Sequence, residues 1–426
     1  MAEEEVMTRP AGNRKLKAAR LAKGYGSQQA LADALNAAAH DLGLRGVSIG
    51  ERQVRRWESE NPPWPHSHHQ QVLTHVFGLC MDDLGFHLVS RAAVDRTRHP
   101  LAGQVVHNTY QTGVYTDTTV RDPSAVAASF AAIATIRRQL YWIAEPRVLH
   151  RTVIEDLGLG RTFLRGMDGP ARKVLGRALA ESALLVGRIE FFDFRQPADA
   201  ANSFVRALQL AGEAEDSILG AAILAHAAFI PGWEGDREGA SDRLAAARSH
   251  ARRVETSGLM WAWLDAVDAE CATLSGNTND ALNLISRAES HLRNDPSLNK
   301  PEWMDWFNPT RLAAFKGNVE LKAGQIRRAE NTLGNALAGS PPDDSKQRAV
   351  ILADLAAAEL AQKRVMSCCE SLGKALDELT RQWYATAMER VRDVRRALRP
   401  WQDEPCVRQL DERLYDWKTA VNVLRS

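Results

Sequence analysis

An all-α protein is the fold class this sequence predicts, and three observations carry that expectation. Most of the chain shows apolar side chains recurring at the 3.6-residue period of amphipathic helices. Alternating runs of β-branched residues, the mark of half-buried strands, are almost absent. Triplets of a small, an apolar and a small residue recur at regular intervals along the second half. At 426 residues the chain exceeds one ordinary core, so two or three domains are expected.

The elements follow in order. Residues 1–13, opening MAEEEVMTRP, read as a flexible polar N-terminus without the apolar run of a signal peptide. NRKLKAARLAKGYG predicts a first helix that stops at Gly24 and Gly26. Ser27 is placed to cap a second helix, SQQALADALNAAAHDLG, with Leu31, Ala32 and Leu35 as its apolar edge. SIGERQVRRWESE predicts a third, in which Ser48 and Glu51 have capping-box spacing. Ile49, Val54 and Trp57 then pack inward and leave Arg52, Gln53, Arg55 and Arg56 free. After the turn ENPPWP comes a fourth helical segment, HSHHQQVLTHVFGL, followed by CMDDLGF. These elements make one domain, residues 14–88. Residues 89–123 read as a linker, because HPLAGQVVHNTYQTGVYTDTTVRDP is polar, rich in Thr, Gly and Tyr, and bounded by prolines. Residues 124–426 are expected to be helical throughout.

Charge narrows the choice of partner. The chain carries 54 Lys and Arg against 53 Asp and Glu, a formal charge of +1, so a polyanion would have to meet a local patch. Residues 9–60 supply one, with ten basic against five acidic side chains.

The order SQQALADAL, VRRWES, a proline turn and QVLTHVFGLCMDDLGF resembles the XRE-family (phage-repressor-like) helix-turn-helix regulators. The stretch PPWPHSHHQQVLTHVFGLCMDDLGF is similar to the actinobacterial members that join this head to helical repeats. The resemblance spans residues 14–86 and is most specific at Ser27-Gln28, Val54-x-x-Trp57-Glu58 and Leu84-Gly85-Phe86. It implies that the third helix enters a major groove. Arg52 and Gln53 would read bases, Arg55 and Arg56 would share base and phosphate contacts, and Gln28 would meet backbone phosphate. Lys15, Lys17 and Arg20 would add non-specific attraction. The segment from Asn36 to Gln53 is longer than the family's usual link between the paired helices.

The triplets are Ala200/Phe204/Ala207, Ala240/Leu244/Ala247, Ala281/Ile285/Ala288, Ala329/Leu333/Ala336 and Cys368/Leu372/Ala375. Twelve residues before the last four stand Ala228, Ala269, Gly317 and Ala356, and Gly235, Gly276 and Gly324 fall between. Small residues let antiparallel helices approach closely, and each glycine suits a turn. The pattern resembles tetratricopeptide repeats, which implies a stacked α-solenoid with a concave groove. In that register Trp263, Glu270, Arg311 and Asn318 face the groove, with Trp303 and Trp306 just before the fourth inner helix. The alternative is that the tryptophans serve the core between repeats. Residues 124–190 would add a degenerate repeat or a dimer element. MERVRDVRRALRPW and CVRQLDERLYDW would make a C-terminal capping pair with a polar outer side.

No catalytic constellation is present: there is no Walker loop, HExxH or nucleophile elbow, and GLGRTFLRG lacks a dinucleotide fingerprint. His66, His68, His69, His75 and Cys80 lack the spacing of a structural zinc site, so neither metal nor cofactor is expected. Five cysteines without a spaced framework suggest a reducing compartment. With no stretch near the roughly 18 apolar residues of a span, a cytoplasmic protein without membrane contact is expected. The resemblance implies a non-enzymatic transcriptional regulator, a homodimer on an inverted-repeat operator in double-stranded DNA. Its repeats would sense a peptide, small molecule or protein. The alternative, favoured by the long segment from Asn36 to Gln53, is a protein-interaction scaffold whose head no longer reads DNA.

Overall fold

The computed structural model describes residues 12–42, 44, 47–59, 62–63, 65–79, 81, 83–86, 121–295 and 300–423. The expected N-terminal tail through residue 11, nearly all of the expected linker, and Cys80 lie outside the described residues. Among the described residues the protein is all-α, with eighteen α-helices and no strand. None of these helices is long and apolar enough to cross a membrane. The chain divides into two compact units, residues 1–119 and 120–426.

The first unit holds α1 (Arg14–Ala22), α2 (Gln28–Asp41), α3 (Glu51–Trp57) and α4 (Ser67–Phe77). Ser27 caps α2, its hydroxyl accepting from the Ala30 amide at 3.0 Å. Leu16, Leu31, Leu35, Val54, Trp57, Leu73 and Phe77 form the core. Trp57 stands edge-on to Phe86 at 6.2 Å and to His69 at 5.4 Å. Asn13 ties the start of α1 to the end of α3 and to the segment after α4. Its Nδ2 donates to the carbonyls of Trp57 (3.1 Å) and Leu84 (2.9 Å), and its Oδ1 accepts from the Leu16 amide. Gly85 must be glycine here: its φ is +79°, and a Cβ would come within 2.1 Å of Asn13 Oδ1.

The second unit begins with α5 (Pro123–Leu140), α6 (Pro146–Arg165) and α7 (Gly169–Arg188), which runs into a π-helical turn at Ile189–Asp193. Then come α8 (Pro197–Glu213), α9 (Ser217–Trp233), α10 (Arg237–Ala251), α11 (Gly258–Leu274) and α12 (Thr278–Asn294). The chain continues through α13 (Pro309–Lys322), α14 (Ile326–Gly339), α15 (Ser345–Ala361), α16 (Val365–Arg381), α17 (Ala385–Ala397) and α18 (Pro405–Val423). Local chemistry sets many starts: the side chains of Asp216, Asp236, Ser257, Asn308 and Asp344 each accept from an amide three residues on.

Each odd-numbered helix from α7 to α15 packs on its even-numbered successor and on the next odd-numbered helix. Five even-numbered helices, α8 to α16, carry the five triplets, every member of which is buried. Ala228, Ala269 and Ala356 face them from α9, α11 and α15, fully buried. The absence of larger side chains at these points is what permits close helix contact. Gly235, Gly276 and Gly324 make the turns with φ of +80°, +80° and +75°. Between α15 and α16 the same turn falls on Lys363 at φ +59°, and between α8 and α9 on Glu215 at +58°.

A left-handed conformation costs a residue with a Cβ about 1–2 kcal/mol. Replacing Gly276 with alanine should therefore lower unfolding stability by about 1 kcal/mol, whereas Lys363→Gly should be neutral or mildly stabilising despite added chain entropy. Paired urea titrations check this; equal losses in both variants would show that the turn conformation is not the controlling factor.

Candidate functional site

In the first unit Val54 and Trp57 anchor α3 with no solvent exposure, while Arg52, Arg55 and Arg56 are exposed and Gln53 is half-buried. Among the described residues the guanidiniums of Arg52 and Arg56 have no ion-pair or hydrogen-bond partner. Arg55 is engaged, donating to Glu51 at 2.5 Å and to Gln28 Oε1 at 3.3 Å. Gln28 in turn donates to Glu58 at 2.7 Å, so α2 and α3 are coupled through side chains. Lys17 is exposed and Lys15 half-buried on α1.

Two sequence expectations need correction. Ser48 does not cap the third helix: α3 starts at Glu51 with Gly50 before it and no side-chain cap. The chain ahead of it is held instead by Asn36, whose amide group brackets Ile49 by accepting from its N–H (2.8 Å) and donating to its carbonyl (2.7 Å). Glu51, freed of capping, pairs with Arg55. Arg20 is no surface cation either. It is buried against Glu58 at 2.7 Å and donates to the carbonyls of Tyr25 and Gly26, so its charge is spent inside the unit.

In the second unit a cavity of about 110 Å³ opens among the odd-numbered helices. Its lining comes from the turn just after α5, the end of α7 with the π-helical turn, α9, α11, α13, α15 and α17, and from the segment just before α13. Aromatic side chains dominate: Trp142, Phe192, Phe229, Trp263, Trp306 and Tyr384. Trp306 lies 5.7 Å from Trp263 and 5.0 Å from the His226 ring. His226 donates from Nδ1 to the Ala222 carbonyl at 2.8 Å, which leaves its other nitrogen as an acceptor. Burial, reinforced by the Arg188 charge, pushes the His226 pKa down to about 3, so the ring is neutral. Burial likewise raises the phenol of Tyr384 to about 12 and that of Tyr141 well above its ordinary value.

The charged groups around the cavity are mostly paired. Arg390 of α17 reaches Glu270 at 2.9 Å and also bonds Asp354, and burial raises both carboxylates. Arg311 bonds Asp344 at 3.1 Å and lies over the Trp142 ring. Arg188 lies 4.7 Å from the ring centres of both Tyr141 and Trp306, and among the described residues it makes no ion pair with a carboxylate.

Of the residues expected at a groove, Trp263, Glu270, Trp306, Arg311 and Asn318 all line this cavity. Trp303 does not; it is buried behind, stacked on Trp306 at 5.7 Å. Asn318 is held by Asp354 at 3.2 Å. The expected C-terminal cap also differs: α17 does not merely present a polar outer face but turns Arg390 and Thr386 toward the cavity. Sequence reasoning missed Arg188, His226, Tyr384 and Arg390. A lone arginine within SALLVGRIEFFDF was the one available signal. Elsewhere Cys271 fills a core position, its thiol pushed up to about 12 by burial. Among the described residues no group of His, Cys, Asp and Glu side chains is arranged to hold a metal ion.

A histidine whose folded pKa is depressed stabilises the fold fully above its ordinary pKa of 6.5, and that contribution is lost as pH falls toward 3. Relative to a His226→Phe variant, the parent should lose about 1.4 kcal/mol per pH unit below 6.5. Unfolding titrations between pH 7 and pH 4 measure the difference; parallel curves would place the histidine in water.

No known protein family matches this chain, and no curated protein is significantly similar to it.

Proposed function

We propose that the protein is a sequence-specific DNA-binding transcriptional regulator, a phage-repressor-like helix-turn-helix head joined to a tetratricopeptide-like solenoid. The observation that carries this reading is the outer face of α3. A seven-residue helix pinned by Val54 and Trp57 holds Arg52 and Arg56 in solvent without a counter-ion, in a stretch rich in basic residues. Exposed, unpaired guanidiniums on a rigid short helix suit both phosphate contact and bidentate pairing with guanine. Gln53 and Arg55 flank them, and Lys15 and Lys17 add positive charge on α1. Repeated helix pairs, turn glycines and buried triplets support the solenoid reading.

In this reading the second unit senses a ligand or joins two copies on an inverted-repeat operator. A ligand alters DNA affinity only if it prefers one conformation of the protein. No chemistry beyond binding is invoked, and the cell compartment follows from the regulatory role as cytoplasmic.

Mapping genomic fragments retained at physiological salt tests the proposal. The parent should enrich a shared motif, and Arg52→Ala/Arg56→Ala should lose it, with affinity down about 5- to 150-fold for each bidentate contact removed, about 1–3 kcal/mol. Equal, motif-free retention by both proteins would favour the scaffold alternative, in which the head no longer reads DNA.

A further inference from the structure

We propose that the cavity of the second unit binds a small aromatic carboxylate, with Arg188 as its charge partner. This deepens the sensor reading above and rests on it for any effect on DNA. Arg188 is only 5 % exposed, lines the cavity, and has no hydrogen bond or ion pair among the described residues. Its contacts are the faces of Tyr141, Trp142 and Trp306, at 4.7, 5.6 and 4.7 Å. Such contacts recover part of the desolvation cost of a buried cation but leave its N–H donors without acceptors.

No carboxylate among the described residues makes an ion pair with Arg188, although the Asp193 charge acts on it and one Asp193 oxygen is left without a hydrogen bond. Asp193 is held by Lys346 at 2.7 Å, Glu270 by Arg390, and Asp344 by Arg311. His226 is neutral. Trp233 and Trp306, which also line the cavity, keep indole N–H groups without an acceptor. A site with surplus donors and one unpaired cation calls for an acceptor-only monoanion. The aromatic walls call for a flat apolar body attached to it. Since a water needs roughly 10–15 Å³ of such space, the cavity of about 110 Å³ admits about the bulk of one substituted benzene ring. A phosphate dianion would meet a single free guanidinium and too many rings, and a metal cation would meet the wrong charge.

The full chain should be titrated calorimetrically with benzoate, with benzamide as the neutral isostere and with acetate lacking the ring. Benzoate should bind saturably, one per chain, at least tenfold more tightly than either control. The Arg188→Met variant, checked for its helical spectrum, should lose that binding at least tenfold. If this variant does not fold, the comparison of benzoate with benzamide on the parent chain decides alone. No saturable benzoate binding, equal binding of benzamide, or unchanged binding by a folded Arg188→Met would each overturn the assignment. Because the titration contains no DNA, its failure leaves motif retention untouched. Loss of motif retention with benzoate binding intact would overturn the regulator reading alone.

Discussion

Lys346 and Asp193, 153 residues apart in the chain, meet at 2.7 Å with essentially no solvent contact, and the second unit closes on that pair. Other bonds gather around it. The Trp383 indole donates to the Asp193 carbonyl at 3.1 Å, and the Thr386 hydroxyl to the Phe192 carbonyl at 3.1 Å. Arg195 pairs with Glu389 at 2.6 Å, and Gln382 donates to the Ala144 carbonyl. Through these contacts α15 and α17 are fastened to the π-helical turn after α7, across the face formed by the helices between. Burying both charges is costly, and removing either partner leaves the other uncompensated. Burial lowers the Lys346 pKa and raises that of Asp193, each opposed by the partner's charge.

The cavity is a consequence of this closure. The π-helical turn carries Phe192 beside Arg188, and α17 brings Tyr384, Thr386 and Arg390 opposite. Departures from α-helical hydrogen bonding inside a long helix often mark functional positions, because they re-aim side chains at an energetic cost. Here the departure directly follows Arg188, a buried cation that lines the cavity and makes no ion pair among the described residues. A ligand that neutralises Arg188 would stabilise the closed arrangement, and by linkage would bias whatever the first unit does if the two states differ there.

Much of the architecture was legible in the sequence because it rests on local patterns. The triplets at Ala240, Ala281 and Ala329 mark helices whose small residues are buried, and the glycines at 235, 276 and 324 mark turns with positive φ. Ser27 and Trp57 were legible for the same reason, one by capping chemistry and the other by apolar spacing. Long-range pairing has no such signature. Nothing near Arg20 announces that Glu58 will bury it, and nothing near Arg390 announces Glu270, 120 residues away. The Ser48 cap failed because the helix starts only at Glu51, after a stretch of backbone that a distant Asn36 side chain holds. Five of the six expected groove residues meet at one cavity because helical register is local, while Arg188 was missed because its significance lies in an absent partner.

A double-mutant cycle on Asp193 and Lys346, followed by urea unfolding, tests the closure most directly. Asp193→Leu and Lys346→Met should each cost about 3–5 kcal/mol, because each strands a buried charge. The double variant should cost much less than their sum, since two apolar side chains strand nothing. Additive losses, or single losses below about 1 kcal/mol, would show that the pair does not hold the unit closed.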